Sequence, residues 1–278
     1  MPPCCLPDPA DVDAVAPGRF ADLDGVRLWY RDTGGPGTPV ILLHPNTGTS
    51  QSWCGQLPAL SAAGFRTVAF DRSGWGLSTP VGVQRGSVSQ DLDSLVEHLG
   101  IGWFHLVGAA AGGFSAIDYA AWRPEKVASL VAVATTGWFR EKEIDEFSAA
   151  IDIGRLRDPD LVVCWEVSAG YRGTCVDGTR RWVEISREAR QPGVEAQPLR
   201  TPNTFAKLDR ITAPVLALAG GADLAAPPAL MRRWAARIQN CEFAVIAEAG
   251  HAVQWENPDA FNERVLRFLL THDRKPDR

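Results

Sequence analysis

No apolar run in this chain reaches the length needed to span a membrane, so a membrane partner is not expected. Runs of lysine and arginine are missing too. With a net charge of −5 and a sequence pI near 5.6, nucleic acid is not an expected partner either. Residues 1–18 lack the basic start and apolar middle of a secretory signal and are proline-rich. They read as a flexible arm, and the protein is expected to be cytoplasmic. The six cysteines fit no zinc or CxxC spacing, so no metal is expected. Cys4 and Cys5 read as a solvated tail pair. Cys54, Cys164, Cys175 and Cys241 read as small residues in or near the core of a protein in a reducing compartment. No internal repeat occurs, and no low-complexity tract beyond the tail.

What is present allows a substantial core. Hydrophobic residues make up 45% of 278 positions, enough for one large domain or a domain carrying an insertion. Residues 20–24 and 26–32 read as a hairpin with Asp24-Gly25 at its turn. Residues 40–44 and 66–70 read as buried strands, with helical spacing over 51–62 and 87–99. Another strand follows at 127–134. Regular alternation stops near Thr135, and residues 138–208 become helical, charged and rich in Trp. It resumes with a strand at 215–219, a helix near 228–238, a strand at 242–246 and a helix at 258–270. Alternating strands and helices predict an α/β fold, a mostly parallel sheet with helices on both faces. The core is assigned to 19–137 and 209–271, and a helical cap to 138–208.

At the centre lies FHLVGAAAGGFSAIDYA, residues 104–120. An apolar strand runs into a knot of small residues, then into a helix. Strand, glycine-flanked turn and helix are the shape of a nucleophile elbow, G-x-S-x-G. Small residues allow close approach of strand and helix while the middle residue is strained. That middle residue is Ala110, where the pattern has serine.

Three further motifs accompany the elbow. His44-Pro45-Asn46 follows a strand. Asp71-Arg72-Ser73-Gly74-Trp75-Gly76-Leu77-Ser78 forms a glycine-rich turn. Ala219-Gly220-Gly221-Ala222-Asp223 follows a strand, with Glu248-Ala249-Gly250-His251 downstream. The four in this order resemble the α/β-hydrolase family, from about Phe20 to Leu270. Pro45-Asn46 departs from the family's usual His-Gly.

The resemblance implies a nucleophile, an acid and a histidine in that chain order, here Ala110 (nucleophile position), Asp223 and His251. Asp223 would hold the histidine tautomer and stabilise the imidazolium. The plain alternatives are a surface carboxylate before Pro227-Pro228 and a polar residue ahead of a helix. The oxyanion hole is assigned to backbone N–H groups of Ala111 and Asn46, with Thr47 as fallback because Pro45 has no N–H. Trp75, Trp138, Trp165 and Tyr171 are candidate walls of the substrate pocket, with Trp182 also in the cap; core packing is the alternative for each. Arg172 and Arg181 could meet a substrate carboxylate or stand in solvent. His44 reads as a turn-stabilising residue, His98 and His105 as structural or exposed, and Asp71-Arg72 as a loop brace. Gly74 and Gly76 lack a P-loop lysine or GxGxxG frame, so no nucleotide site is expected. No cofactor is implied.

The branch resembled holds enol-lactonases, esterases and carbon–carbon bond hydrolases. It implies a small, partly apolar or aromatic ester or lactone as substrate. Alanine at position 110 leaves three readings. A native serine was replaced, leaving an inactive chain. Alternatively, His251 acts as a base on water or a substrate proton, in lyase-like or carbon–carbon cleaving chemistry. In the third, the pocket is a non-catalytic receptor.

Overall fold

Apolar strands alternating with amphipathic helices build a single sheet covered on both faces. The structure is a computed structural model that describes residues 7–82, 86–151 and 162–273. Helix α1 (Pro9–Val15) leads into strands β1 (Gly18–Leu23) and β2 (Val26–Asp32). Next come β3 (Pro39–Leu43), α2 (Gln56–Ala62), β4 (Arg66–Phe70), β5 (Thr79–Pro80) and α3 (Val88–His98). Strand β6 (Phe104–Ala109), α4 (Ala111–Trp122) and β7 (Val127–Val133) complete the first half. Helices α5 (Lys142–Ile151), α6 (Val162–Glu166), α7 (Ala169–Thr174), α8 (Val176–Ala189) and α9 (Phe205–Leu208) form an insertion. Then β8 (Val215–Gly220), α10 (Pro228–Ala235), β9 (Cys241–Ile246), α11 (Val253–Glu256) and α12 (Pro258–His272) close the chain.

The spatial order is β1-β2-β4-β3-β6-β7-β8-β9, with β5 on β2. Pairs from β4 to β9 are parallel, and pairs involving β1, β2 and β5 are antiparallel. Strands β6, β7 and β8 are buried at every position. This explains their unbroken apolar runs, since a central parallel strand has helices on both sides. Ile41 and Leu43 of β3 join a core with Leu92, Tyr119 and Trp234. Val40 and Leu42 point the other way, to Trp53, Leu57 and Phe261.

Local chemistry sets the helix starts. Ser87 and Gln90 form a capping box on α3, satisfying two otherwise open donors. The stretch expected as one helix over 51–62 is split into a 3-10 turn at Ser50–Trp53 and α2. The N-terminal stretch differs from the flexible arm expected there. From Pro9 it is helical, with Asp8 accepting from the Ala10 N–H at 2.8 Å. Val12 and Ala16 are buried in the core, and Arg31 donates to the Ala16 carbonyl at 3.1 Å. Cys175 is disulfide-bonded, a correction to the expectation of reduced cysteines, while Cys54, Cys164 and Cys241 are free. Cys4 and Cys5 lie outside the described residues, as do positions 152–161 of the expected cap.

Two contacts fasten the insertion. Asp118 on α4 and Lys207 on α9 form a buried ion pair. Asp118 also accepts from Arg200 N at 2.8 Å and Ser89 Oγ at 2.7 Å. At the other end, Val167, Trp182 and Ile185 pack with Ala252 and Trp255. No helix among the described residues is long and apolar enough to cross a membrane.

Candidate active site

The carboxyl ends of β3, β6, β8 and β9 lead into four loops, and the candidate catalytic and oxyanion-hole residues lie on them. Ala110 sits between β6 and α4 with φ 50° and ψ −113°, a region rarely occupied by residues other than glycine. Three hydrogen bonds fix it. Its N–H donates to Val133 O at 2.9 Å, and its carbonyl accepts from Gly113 N at 3.0 Å and Thr135 Oγ1 at 2.7 Å. A Cβ on Gly112 would lie 2.2 Å from the Leu43 carbonyl oxygen, so only glycine fits where α4 passes β3. Ala111 is the first residue of α4, where N–H groups have no intrahelical acceptor.

Asp223 follows β8 and His251 follows β9. The His251 Nδ1 lies 3.0 Å and 2.9 Å from the two Asp223 carboxylate oxygens. Asp223 Oδ1 also accepts from Ala225 N and Ala226 N at 2.8 and 2.9 Å, which locks the carboxylate in its turn. A Cβ on Gly220 would meet the Gly250 carbonyl oxygen at 2.1 Å, so this glycine lets the acid and histidine loops approach.

Burial alone would lower the His251 pKa. The charge and hydrogen bond of Asp223, then the charges of Glu166 and Glu256, overcome it and raise the pKa to about 9. At neutral pH the imidazole is therefore mainly protonated.

The loop after β3 is braced throughout. Arg72 N donates to His44 Nε2 at 2.9 Å, so the other ring nitrogen carries the proton and donates to Pro45 O at 2.7 Å. His44 is thus a turn brace, with its pKa held well below the usual range by burial, then by Arg72. Arg72 donates to Asn46 Oδ1 at 2.9 Å, and Trp75 Nε1 to Asn46 O at 2.7 Å. Asp71 accepts from Ser50 N and Leu77 N at 2.7 and 3.0 Å, tying this loop to the next.

The aromatic candidates separate. Trp75 is buried under the Arg72 guanidinium, 4.5 Å from the ring centroid, and supports the loop. Trp138 is 47% exposed beside Phe114. Tyr171 packs against the cluster that joins the insertion to α11. Trp165 is half-buried on α6, and its indole N–H is buried without a partner. Arg172 donates to carbonyls within the insertion, Cys164 O at 3.4 Å and Val167 O. Arg181 donates to Gln51 Oε1 at 2.7 Å. Two cavities of about 190 Å³ each flank Arg181, and neither is lined by Ala110 or His251.

Two glutamates belong to the site although no motif marks them. Glu166 Oε2 accepts from Thr47 Oγ1 at 2.7 Å. Glu256 accepts from Gly250 N at 2.9 Å and Ser168 N at 3.1 Å. Among the described residues, no group of three or more His, Cys, Asp or Glu side chains could hold a metal ion.

A sequence profile described as the alpha/beta hydrolase family matches residues 40–264. The chain belongs to that family. A protein of Klebsiella pneumoniae named 2-hydroxy-6-oxononadienedioate/2-hydroxy-6-oxononatrienedioate hydrolase is 29% identical, covering 92% of this chain and 96% of the relative. The Escherichia coli K12 protein of the same name is 28% identical, with the same coverage. Among solved structures, an esterase from Thermogutta terrifontis superimposes with a TM-score of 0.78 at 23% identity, covering 92% of this chain and 100% of that one. An enol-lactonase from Burkholderia xenovorans LB400 gives 0.75 at 22%, covering 91% and 100%. These two show a shared fold.

Proposed function

We propose that this chain is a serine-hydrolase-type protein whose site takes a small, partly apolar or aromatic carboxylic ester or lactone. Ala110 stands at the nucleophile position, so this chain lacks the covalent step. The observation that carries the reading is the strained backbone of Ala110 on the same sheet edge as the hydrogen-bonded Asp223–His251 pair. A side chain at this elbow stands at the head of a helix, where an attacking oxygen is needed.

With serine at 110, the hydroxyl attacks the substrate carbonyl and His251 takes its proton. Asp223 keeps the Nδ1–H tautomer and stabilises the imidazolium. The tetrahedral oxyanion lies against the N–H groups of Ala111 and Asn46. Trp75 and Arg72 occupy the Asn46 oxygens, leaving its N–H as the group to donate. His251 then returns the proton to the leaving group, and water repeats the cycle. The insertion that carries α5 to α9 acts as the cap.

A second reading has its own support. The curated relatives are named for hydrolysis of dienedioates, and His251 is held protonated near neutrality. A site of this kind donates a proton to substrate without a covalent nucleophile, or simply binds its ligand.

The test compares this chain with Ala110→Ser on a panel of small chromogenic esters and lactones, with circular dichroism as folding control. The serine form should gain several orders of magnitude; removing a triad serine elsewhere costs on the order of 10⁶ in rate. Equal rates would overturn the serine-hydrolase reading and favour the second.

A further inference from the structure

Glu166 joins the two loops on which the candidate chemistry depends. It ends helix α6 in the insertion. Its carboxylate accepts from Thr47 Oγ1 at 2.7 Å, and its main-chain carbonyl accepts from Ala252 N at 2.7 Å. Thr47 directly follows Asn46, and Ala252 directly follows His251. One residue is therefore bonded to the neighbour of the candidate oxyanion donor and to the neighbour of the candidate base. Glu256 makes a parallel link, from Gly250 N to Ser168 N.

We propose that Glu166 is a positioning and specificity residue of this site: it sets the spacing of the two loops, supplies a second negative charge to the His251 imidazole, and turns away substrates with an anionic group on the insertion side. The substrate part rests on the hydrolase reading above. It narrows the substrate class to neutral esters, lactones or ketones.

Charge placement supports this. The charged groups acting on His251 are Asp223 from the loop after β8, Glu166 from α6 and Glu256 from α11, all carboxylates. Burial, with the Asp223 charge, raises the Glu166 pKa, and the His251 charge and the Thr47 hydrogen bond offset only part of this. Three arginines around these loops already donate within the chain. Arg172 serves insertion carbonyls, Arg181 serves Gln51, and Arg72 serves Pro45 O and Asn46. A dianion of the kind named for the curated relatives brings its charge to a site whose three carboxylates outnumber the His251 imidazolium they surround.

The charge role is tested on the chain as it stands, by NMR titration of isotope-labelled histidine. The His251 midpoint is expected near pH 9. Glu166→Gln keeps an oxygen to accept from Thr47 and removes the charge, so the midpoint should fall by about one pH unit. Glu166→Asp should restore most of it. A midpoint below 7 in the unchanged chain, or no change in Glu166→Gln, overturns the charge role. A midpoint below 7 in the unchanged chain overturns the charge role even if Glu166→Gln does not fold, and Glu166→Ala then carries the same comparison.

The substrate role is tested by calorimetric binding of butyranilide and of succinanilic acid, its counterpart ending in a carboxylate. The neutral amide should bind at least about tenfold more tightly, and Glu166→Gln should remove most of that preference. Equal affinities, a preference for the acid, or binding of neither overturns the substrate part. Should Ala110→Ser hydrolyse no ester, the hydrolase reading falls, while the titration still judges Glu166.

Discussion

Ala110 occupies a backbone conformation that costs on the order of 1–3 kcal/mol, and its methyl group gains nothing from it. The strain is held by bonds from Val133, Gly113 and Thr135, all independent of the side chain at 110. Serine should therefore fit this position without disturbing the fold. Its partner His251 is protonated below about pH 9 because three carboxylates outweigh burial. A general base must be neutral, so the active fraction grows as pH rises through the folded-state pKa. Hydrolysis by Ala110→Ser should accordingly climb with pH and level off above about 9, read from kcat/KM across the range. Adding Asp223→Asn removes the charge and leaves the wrong tautomer, a change that costs on the order of 10⁴ in kcat in a triad enzyme of another fold. Activity that is flat from pH 6 to 10, or insensitive to Asp223→Asn, would remove His251 from the base role.

At the scale of elements, the junctions between strand and helix are the most constrained parts of the chain. Gly112 lies in α4, where replacing glycine by alanine in an open helix gains about 1 kcal/mol. Here the added Cβ meets the Leu43 carbonyl oxygen at 2.2 Å, a backbone atom that cannot swing aside. Overpacking costs about 1–3 kcal/mol and wins. Gly112→Ala should lower the urea midpoint, whereas Gly173→Ala on α7, whose Cβ meets nothing within 4 Å, should raise it slightly. Equal effects would show that α4 can shift away from β3. These junctions are also where the sequence is most readable. Apolar runs bounded by glycine and proline mark β4 and β8, and Ser87 with Gln90 marks the start of α3. Helix α1 is harder to see, since its apolar face is only Val12 with Ala16 beyond it, and its anchor, Arg31, lies on β2. Asp223 and His251 stand on strand-end motifs, and their hydrogen bond is legible from motif order. Glu166 is not, because its meaning comes from Thr47, 119 positions earlier, and from a main-chain bond to Ala252.

Across the whole molecule, the insertion must hold its place over a sheet from which it departs after β7 and to which it returns at β8. Packing of Trp182 against Trp255, centroids 5.2 Å apart, secures one side. The return is secured by an ion pair almost out of solvent, with Lys207 8% and Asp118 0% exposed. Lys207 Nζ also donates to Thr201 O and Asn203 Oδ1, both at 2.9 Å, and Asp118 accepts from Thr201 and Arg200 backbone N–H groups. Burying two charges is expensive, and their attraction roughly balances that penalty, so the pair as a unit adds little net stability. Breaking it is different. Lys207→Met leaves the Asp118 carboxylate buried beside α4 without its cation, which costs about 3–5 kcal/mol. Because Asp118 sits on the helix that begins at Ala111, the loss should be felt at the elbow as well as in the insertion. Lys207→Met should therefore lower the urea midpoint strongly and weaken butyranilide binding. Adding Asp118→Leu removes the orphaned charge and should recover most of the stability. The coupling energy from the four melts measures the pair directly. Additive single and double variants would mean that the two side chains are stabilised by their backbone partners and not by each other.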